Sequence, residues 1–325
     1  MLRASETSIK AAFVFAPDAS PMSSSPQNIP AHANLVERRV TSRAFGLAVL
    51  AVGLLSAMDA AIKGLAAEFS TPQIAFLRYV AGSLAILVVI AITRPPRPRF
   101  ETILANIWRA VLGVATALTF FFALGRLPLA ETLALALLSP CCTVMFGALL
   151  LKERVGRSVV IALIVGLVGM LAIVAPKFGG GTASVAALEG AIAVMISTLT
   201  YSLSLVLLRS RATRDHPMTI VAVQNVGSVV ILGAFAPFVP TELWQPLALR
   251  DVASFAALGI LGIGGHLMIV RAYALAPAAR MAPADYTALV YASVFGYVFF
   301  AETPAWTTIA GALLILASSI AATRR

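Results

Sequence analysis

Asp59, Arg78, Arg271 and Asp285 are ionisable residues set inside long apolar runs, and they are where chemistry is to be sought first. A charge at the centre of a bilayer-spanning helix costs about 2.5–3.5 kcal/mol on insertion scales, so it is kept for a purpose. Ser56, Asp59 and Lys63 share one helical stripe at spacings of three and four. Asp59 and Arg78 fall at similar depth on sequential spans, roughly 9 and 6 Å toward the outer face at the helical rise. Two readings stand. Ser56, Asp59, Lys63 and Arg78 wall a substrate cavity, with Arg78 or Lys63 offered to an anionic group. Alternatively, Asp59 and Arg78 form a helix-locking pair and Lys63 only reaches to the interface.

The second half of the chain has milder chemistry at matching places. A shift of about 146 puts Gln224, followed by Asn225, where Arg78 sits, and Ser197, Tyr201 and Ser204 roughly where Ser56, Asp59 and Lys63 lie. Hydroxyls and amides suit a cavity that binds and releases, and equally suit interhelical hydrogen bonds. Arg271 and Asp285 make a second pair, either an inner-gate contact or a static brace. Tyr286, Ser293 and Tyr297 share a stripe that suits a planar cargo or plain packing. Glycines 259, 262, 264 and 265 thin the run beside His266, for close helix approach or for a hinge. Glu131 opens the fourth span, where the helix dipole favours a carboxylate. Glu153, between Lys152 and Arg154, ends that span, and Glu302 ends the ninth. These glutamates are gating or structural ion-pair candidates.

Other chemistries find no support. The three histidines, His32, His216 and His266, have no metal-binding spacing, and there is no Ser/His arrangement, Gly-x-Gly-x-x-Gly or P-loop. Cys141 and Cys142 are adjacent and point about 100° apart on a helix, so neither a mutual disulfide nor a metal site is expected. No catalytic residue, metal or cofactor is assigned. The formal charge of +10 sits in loops, where topology control accounts for it, and nucleic acid is not an expected partner.

The elements that position these residues follow from composition. Sixty per cent hydrophobic and 12% charged residues fit a bilayer solvent, not water. Each crossing needs about 20 apolar residues, and these runs are too long and unalternating for barrel strands. An all-α membrane protein with ten spans is predicted, near 44–63, 73–92, 105–124, 131–151, 157–175, 188–208, 218–238, 252–274, 281–301 and 305–322. Residues 1–42, rich in Ser, Pro and Ala, are read as a disordered cytoplasmic tail with Met22 as a second candidate start. Residues 43–176 and 188–323 form two five-helix halves, joined by a linker at 177–187 that carries Gly179-Gly180-Gly181. Pro140 is expected to break or bend the fourth span.

Of the 24 Lys and Arg residues, seventeen fall in the tails and loops of one side, four on the other, and Arg78, Arg109 and Arg271 within spans. That excess places both termini in the cytoplasm of a cell (inner) membrane protein. An odd number of spans per half turns the second half over, an inverted repeat of the kind that lets one set of contacts close either face in turn.

The order of motifs carries a resemblance. Asp59 and Lys63, Phe76-Leu77-Arg78-Tyr79, Leu127-Pro128-Leu129-Ala130-Glu131-Thr132, Ser139-Pro140 and Lys152-Glu153-Arg154 are followed by Tyr273-Ala274-Leu275-Ala276 and Ala301-Glu302. With the duplicated layout, this resembles the drug/metabolite transporter superfamily and its EamA-type repeat over about residues 44–322. The second half departs from the pattern where Pro277 and Pro283 replace Leu-Pro-Leu-Ala. The resemblance implies a carrier that moves a small organic metabolite across the bacterial cytoplasmic membrane by alternating access. Its cargo is amino acid-like or cofactor/nucleoside-like, S-adenosylmethionine or riboflavin being examples. A passive channel, or less favourably an intramembrane enzyme, is the alternative. A small-molecule substrate and the lipid bilayer are the expected partners, and Asp59 and Asp285 leave proton or counter-solute coupling open.

Overall fold

The computed structural model describes residues 31–96, 98–151, 157–176, 182–211, 214–275 and 284–323. Among these residues there is no strand. The helices are α1 (Ala31–Leu65), α2 (Thr71–Thr93), α3 (Phe100–Leu124), α4 (Leu129–Ala136), α5 (Ser139–Leu151) and α6 (Arg157–Val174). They continue with α7 (Thr182–Arg211), α8 (Pro217–Phe235), α9 (Leu249–Leu275), α10 (Thr287–Phe300) and α11 (Trp306–Thr323). Seven helices are long and apolar enough to cross a membrane, α4 and α5 counting together as Leu129–Gly147. Three shorter apolar stretches join them, Ile164–Ile173, Thr287–Phe300 and Trp306–Ala317. The ten expected spans thus resolve into seven of crossing length and three shorter ones among the described residues.

Residues 31–42, expected within the tail, are helical and run straight into the first span. Half of this stretch is Ala, Leu, Glu or Arg, strong helix formers once an apolar helix follows to nucleate them. Residues 1–30, Lys152-Glu153-Arg154, the Gly179–Gly181 run and the Pro277–Pro283 segment lie outside the described residues.

Local signals fix the ends that matter here. Ser70 caps α2 by accepting from the Gln73 N–H, and Pro72 sits early in the helix where no N–H is missed. Arg94, at φ 47°, ends α2 with its N–H on the Ile90 carbonyl, directly before Pro95-Pro96. The break in the fourth span falls at Leu137-Leu138, just ahead of Pro140, which lacks the N–H that a continuous helix would use. Ser202 of α7 donates to the Ser139 carbonyl at 3.0 Å and fastens the break to its neighbour.

α1 packs on α9, α2 on α8 and α9, α3 on α7 and α8, α5 on α7, and α10 on α1 and α4. α6 and α11 pair with each other. Close approach, not a hinge, is what the glycines of α9 provide: the helix is continuous from Leu249 to Leu275. A Cβ at Gly259 would come within 2.6 Å of the Ala81 carbonyl carbon, and one at Gly265 within 2.7 Å of Leu55. Much of the outer surface is apolar, including Leu84, Val88 and Ile92 on α2 and Val290, Val294 and Val298 on α10. In water such a surface would aggregate; in lipid it is the expected one. The chain is a multi-pass membrane protein.

Candidate functional site

A cavity of about 240 Å³ opens between the halves, with walls from α1, α2, α3, α4 and α5 on one side and from α7, α8, α9, α10 and the stretch leading into it on the other. Arg78 and Arg109 meet Asp59, Asp285 and His266 in its lining, among Ser, Thr and aromatic side chains. Five ionisable groups converge in one small space inside an apolar protein.

Arg78 projects from α2 and is 6% exposed. Its guanidinium lies over the Tyr79 ring at 4.4 Å and within 5.9 Å of the Phe121 ring, and its Nε donates to Met58 Sδ at 3.3 Å. Gly262 makes room for it, since a Cβ there would stand 3.3 Å from Nη2. Tyr79 is anchored in turn by its hydroxyl, which donates to the Gly113 carbonyl at 3.1 Å. The helix-locking ion pair of the alternative reading is not formed: the Arg78 guanidinium rests over aromatic faces and makes no ion pair with Asp59. Asp59, 8% exposed, lines the cavity without a direct ionic partner.

Arg109 comes from α3 and is 4% exposed. Its Nη1 donates to Asn106 Oδ1 at 3.0 Å and its Nη2 to Gln224 Oε1 at 2.6 Å. Gln224 therefore reaches from α8 to a cation on α3 and lines the same cavity as Arg78. His266 donates through Nδ1 to the Gly262 carbonyl at 2.7 Å, which orients its ring beside Arg78.

Ser56, Asp59, Arg78, Ser197, Tyr201 and Gln224 are thus brought together as the sequence suggests, with Asp285 and Ser204. Two expected members are not. Lys63 points away and forms a separate knot: its Nζ donates to the Leu127 carbonyl at 2.6 Å and the Leu124 carbonyl at 3.2 Å, and pairs with Glu302 at 3.0 Å. A lysine at the last turn of α1 finds the free carbonyls at and just beyond the end of α3 closer than the cavity. Tyr286 packs into the apolar cluster around Leu137 and Leu138 instead of lining the cavity.

The remaining ion-pair candidates divide. Glu302 Oε2 accepts the Leu129 N–H at 2.8 Å, capping α4 from outside, while Oε1 holds Lys63. A left-handed turn at Ala301, φ 53°, places it there, with the Glu302 N–H on the Gly296 carbonyl. Glu131 is buried in the first turn of α4, where Thr308 donates to it at 3.3 Å. Arg271 is exposed on α9 and does not pair with Asp285, because its side of the helix faces outward. Glu153 lies outside the described residues. Arg109, Tyr79, His266, Thr116 and Thr198 were missed as lining residues. Only Arg109 and His266 had a signal, as a cation inside a span and a histidine among close-packing glycines.

Comparison with known proteins bears on this arrangement. The family model described as "EamA-like transporter family" matches residues 42–175 and again 188–324. A pseudopaline exporter of Pseudomonas aeruginosa is 30% identical over 284 residues, 86% of this chain and 95% of that protein. Solute carrier family 35 member G1 of Homo sapiens is 28% identical, over 67% of this chain and 62% of its own length. A riboflavin transporter of Rhizobium johnstonii is 28% identical, over 66% and 68% respectively. One solved crystal structure shares the fold at a TM-score of 0.58 and 19% identity, covering 87% of this chain and 96% of its own.

Proposed function

The chain belongs to the EamA-like transporter family, and we propose that it carries a small organic metabolite across the cytoplasmic membrane by alternating access. The observation that carries this reading is the cavity itself. Ionisable residues from both halves, Asp59, Arg78 and Arg109 against His266 and Asp285, meet where no lipid or core role requires them.

The reading includes ten crossing segments in two inverted five-helix repeats, residues 43–176 and 188–323 with a linker at 177–187. Packing supports it. If α1 answers to α7, α2 to α8 and α3 to α9, the α1–α9 contact becomes α7–α3 and the α2–α9 contact becomes α8–α3. Both partners of each exchange occur. The α6–α11 contact is reciprocal: a Cβ at Gly169 would meet the Gly311 carbonyl oxygen at 2.7 Å, and one at Gly311 the Gly169 oxygen at 2.5 Å. A two-fold axis in the membrane plane asks for such self-matching contacts. Both termini are assigned to the cytoplasm. In support, Lys63 and Arg250, from the less basic side, lie at one end, near the loop that Ser70 and Gln73 bind through Leu243 and Gln245. Thr102 joins Asp215 at the other.

The volume, below the roughly 300–1,000 Å³ of drug-sized pockets, favours an amino acid-sized cargo over one the size of riboflavin or S-adenosylmethionine. The mixed charge of the lining suits a molecule with both an anionic and a cationic group. Proteoliposomes holding the purified chain test this. Saturable uptake accelerated by unlabelled solute on the far side is expected, and Arg78→Ala should abolish it while the protein still inserts. Non-saturable flux would make the protein a passive channel, and product formation an enzyme. Cysteines at positions 154 and 177 should label from opposite faces; labelling from one face would remove the inverted repeat.

A further inference from the structure

We propose that Arg109 and Thr198 form an oxyanion subsite in this cavity, receiving a carboxylate or phosphate of the transported molecule. The inference rests on the carrier reading and adds where the cargo's negative group is held.

Arg109 is a buried cation without a counter-charge. Its two hydrogen-bond partners, Asn106 and Gln224, are neutral amides, and no carboxylate lies within ion-pair distance of it. Asn106 is itself fixed, donating to the Thr102 carbonyl at 2.8 Å. The guanidinium is therefore aimed by amides while its charge stays unmet, and its Nε–H is buried with no partner at all. Buried guanidinium groups of proteins are ordinarily paired, and their fork geometry matches planar oxyanions. One anion is lacking here.

Thr198 repeats the pattern on the facing helix. It is 2% exposed and lines the same cavity, and its Oγ1 has no partner. Neighbouring threonines behave otherwise. Thr119 donates to a carbonyl one turn back on its own helix, and Thr116 and Thr200 each lie within bonding distance of such a carbonyl and 2.8 Å from each other, so that one of the two donates to the other. Back-bonding is the default for threonine in an apolar helix. Thr198 forgoes it beside a cavity that Arg109 also lines. Two buried, unsatisfied donors on lining residues of opposite halves fit an acceptor that arrives with the cargo. Drawn between α3 and α7, that acceptor would also bridge the two halves.

The test uses purified full-length protein in detergent and matched probes that differ in the oxyanion. L-Histidine is compared with L-histidinol, L-methionine with L-methioninamide, and O-phosphoethanolamine with ethanolamine, by thermal shift and by flux in proteoliposomes. At least one oxyanion-bearing probe should raise the melting temperature while its partner does not, and the pair that responds tells carboxylate from phosphate. Thr198→Val should weaken that binding at least fivefold and leave the melting temperature of the empty protein unchanged or higher. A structural hydroxyl would behave in the opposite way. Arg109→Lys should lose at least tenfold in affinity, and Arg271→Gln, on the exposed face, none. Equal binding within every pair, binding of no oxyanion probe, or wild-type affinity in Thr198→Val would overturn the subsite. Saturable flux of only the partners without an oxyanion would overturn it and leave the carrier intact. Absence of saturable flux for every probe and for riboflavin would remove the carrier reading itself.

Discussion

Lys63 and Asp59 stand one turn apart on α1, yet they belong to opposite kinds of polar region. Around Lys63 every bond is made: the Leu124 carbonyl at the end of α3, the Leu127 carbonyl just beyond it and the Glu302 carboxylate take its ammonium, and the second Glu302 oxygen caps α4. Around Asp59 bonds are withheld. Its carboxylate makes no contact ion pair, Arg78 rests on aromatic faces, and Arg109 and Thr198 keep buried donors unspent. A satisfied cluster braces the fold, whereas an unsatisfied one costs stability and is retained where a ligand completes it. Both clusters are charged; they differ in how completely their bonds are made.

The comparison can be broken at either end. The largest effect should come from Lys63→Met, which leaves Glu302 half-buried without its cation. A loss of roughly 3 kcal/mol is expected in thermal unfolding, with cargo affinity nearly unchanged. Adding Glu302→Gln should recover part of that loss, since the stranded charge goes too. Asp59→Asn should do the reverse: transport falls at least about tenfold, near 1.4 kcal/mol, while the melting temperature holds or rises. A stability loss in Asp59→Asn would place Asp59 with the brace. Ala301→Gly, relieving a left-handed alanine at the knot, should stabilise by about 0.5–1 kcal/mol without altering flux. Ser202→Ala, which removes one interhelical bond at the break in the fourth span, should cost about 0.6 kcal/mol in the same unfolding assay.

Apolar length and the breakers between runs were enough to locate the helices, because in a bilayer every backbone group must be satisfied within its own segment. Asp59, Arg78 and Gln224 stood out in the sequence as polar groups in apolar runs, with interhelical bonding as the other reading; all three line the cavity, and Gln224 also bonds across helices. The direction of Lys63 was not. It shares a stripe with Asp59, but whether a lysine turns inward depends on which carbonyls another helix leaves free nearby, and Leu124 and Leu127 are more than sixty residues away in the chain. Arg271 failed for a related reason: depth in the membrane can be counted along a helix, whereas the face it presents is set by packing. Thr198 carried no mark at all, for its distinction is a hydrogen bond not made.

The interruption at Leu137-Leu138 divides one crossing between two neighbourhoods. α4 is tied by its first N–H to Glu302 and so to the end of α1, while α5 is tied through Ser139 to α7. Under the proposed alternating access, a shift between those neighbourhoods falls on a joint that already lacks a helical bond, so it asks a few torsions there to move and no turn of helix to melt.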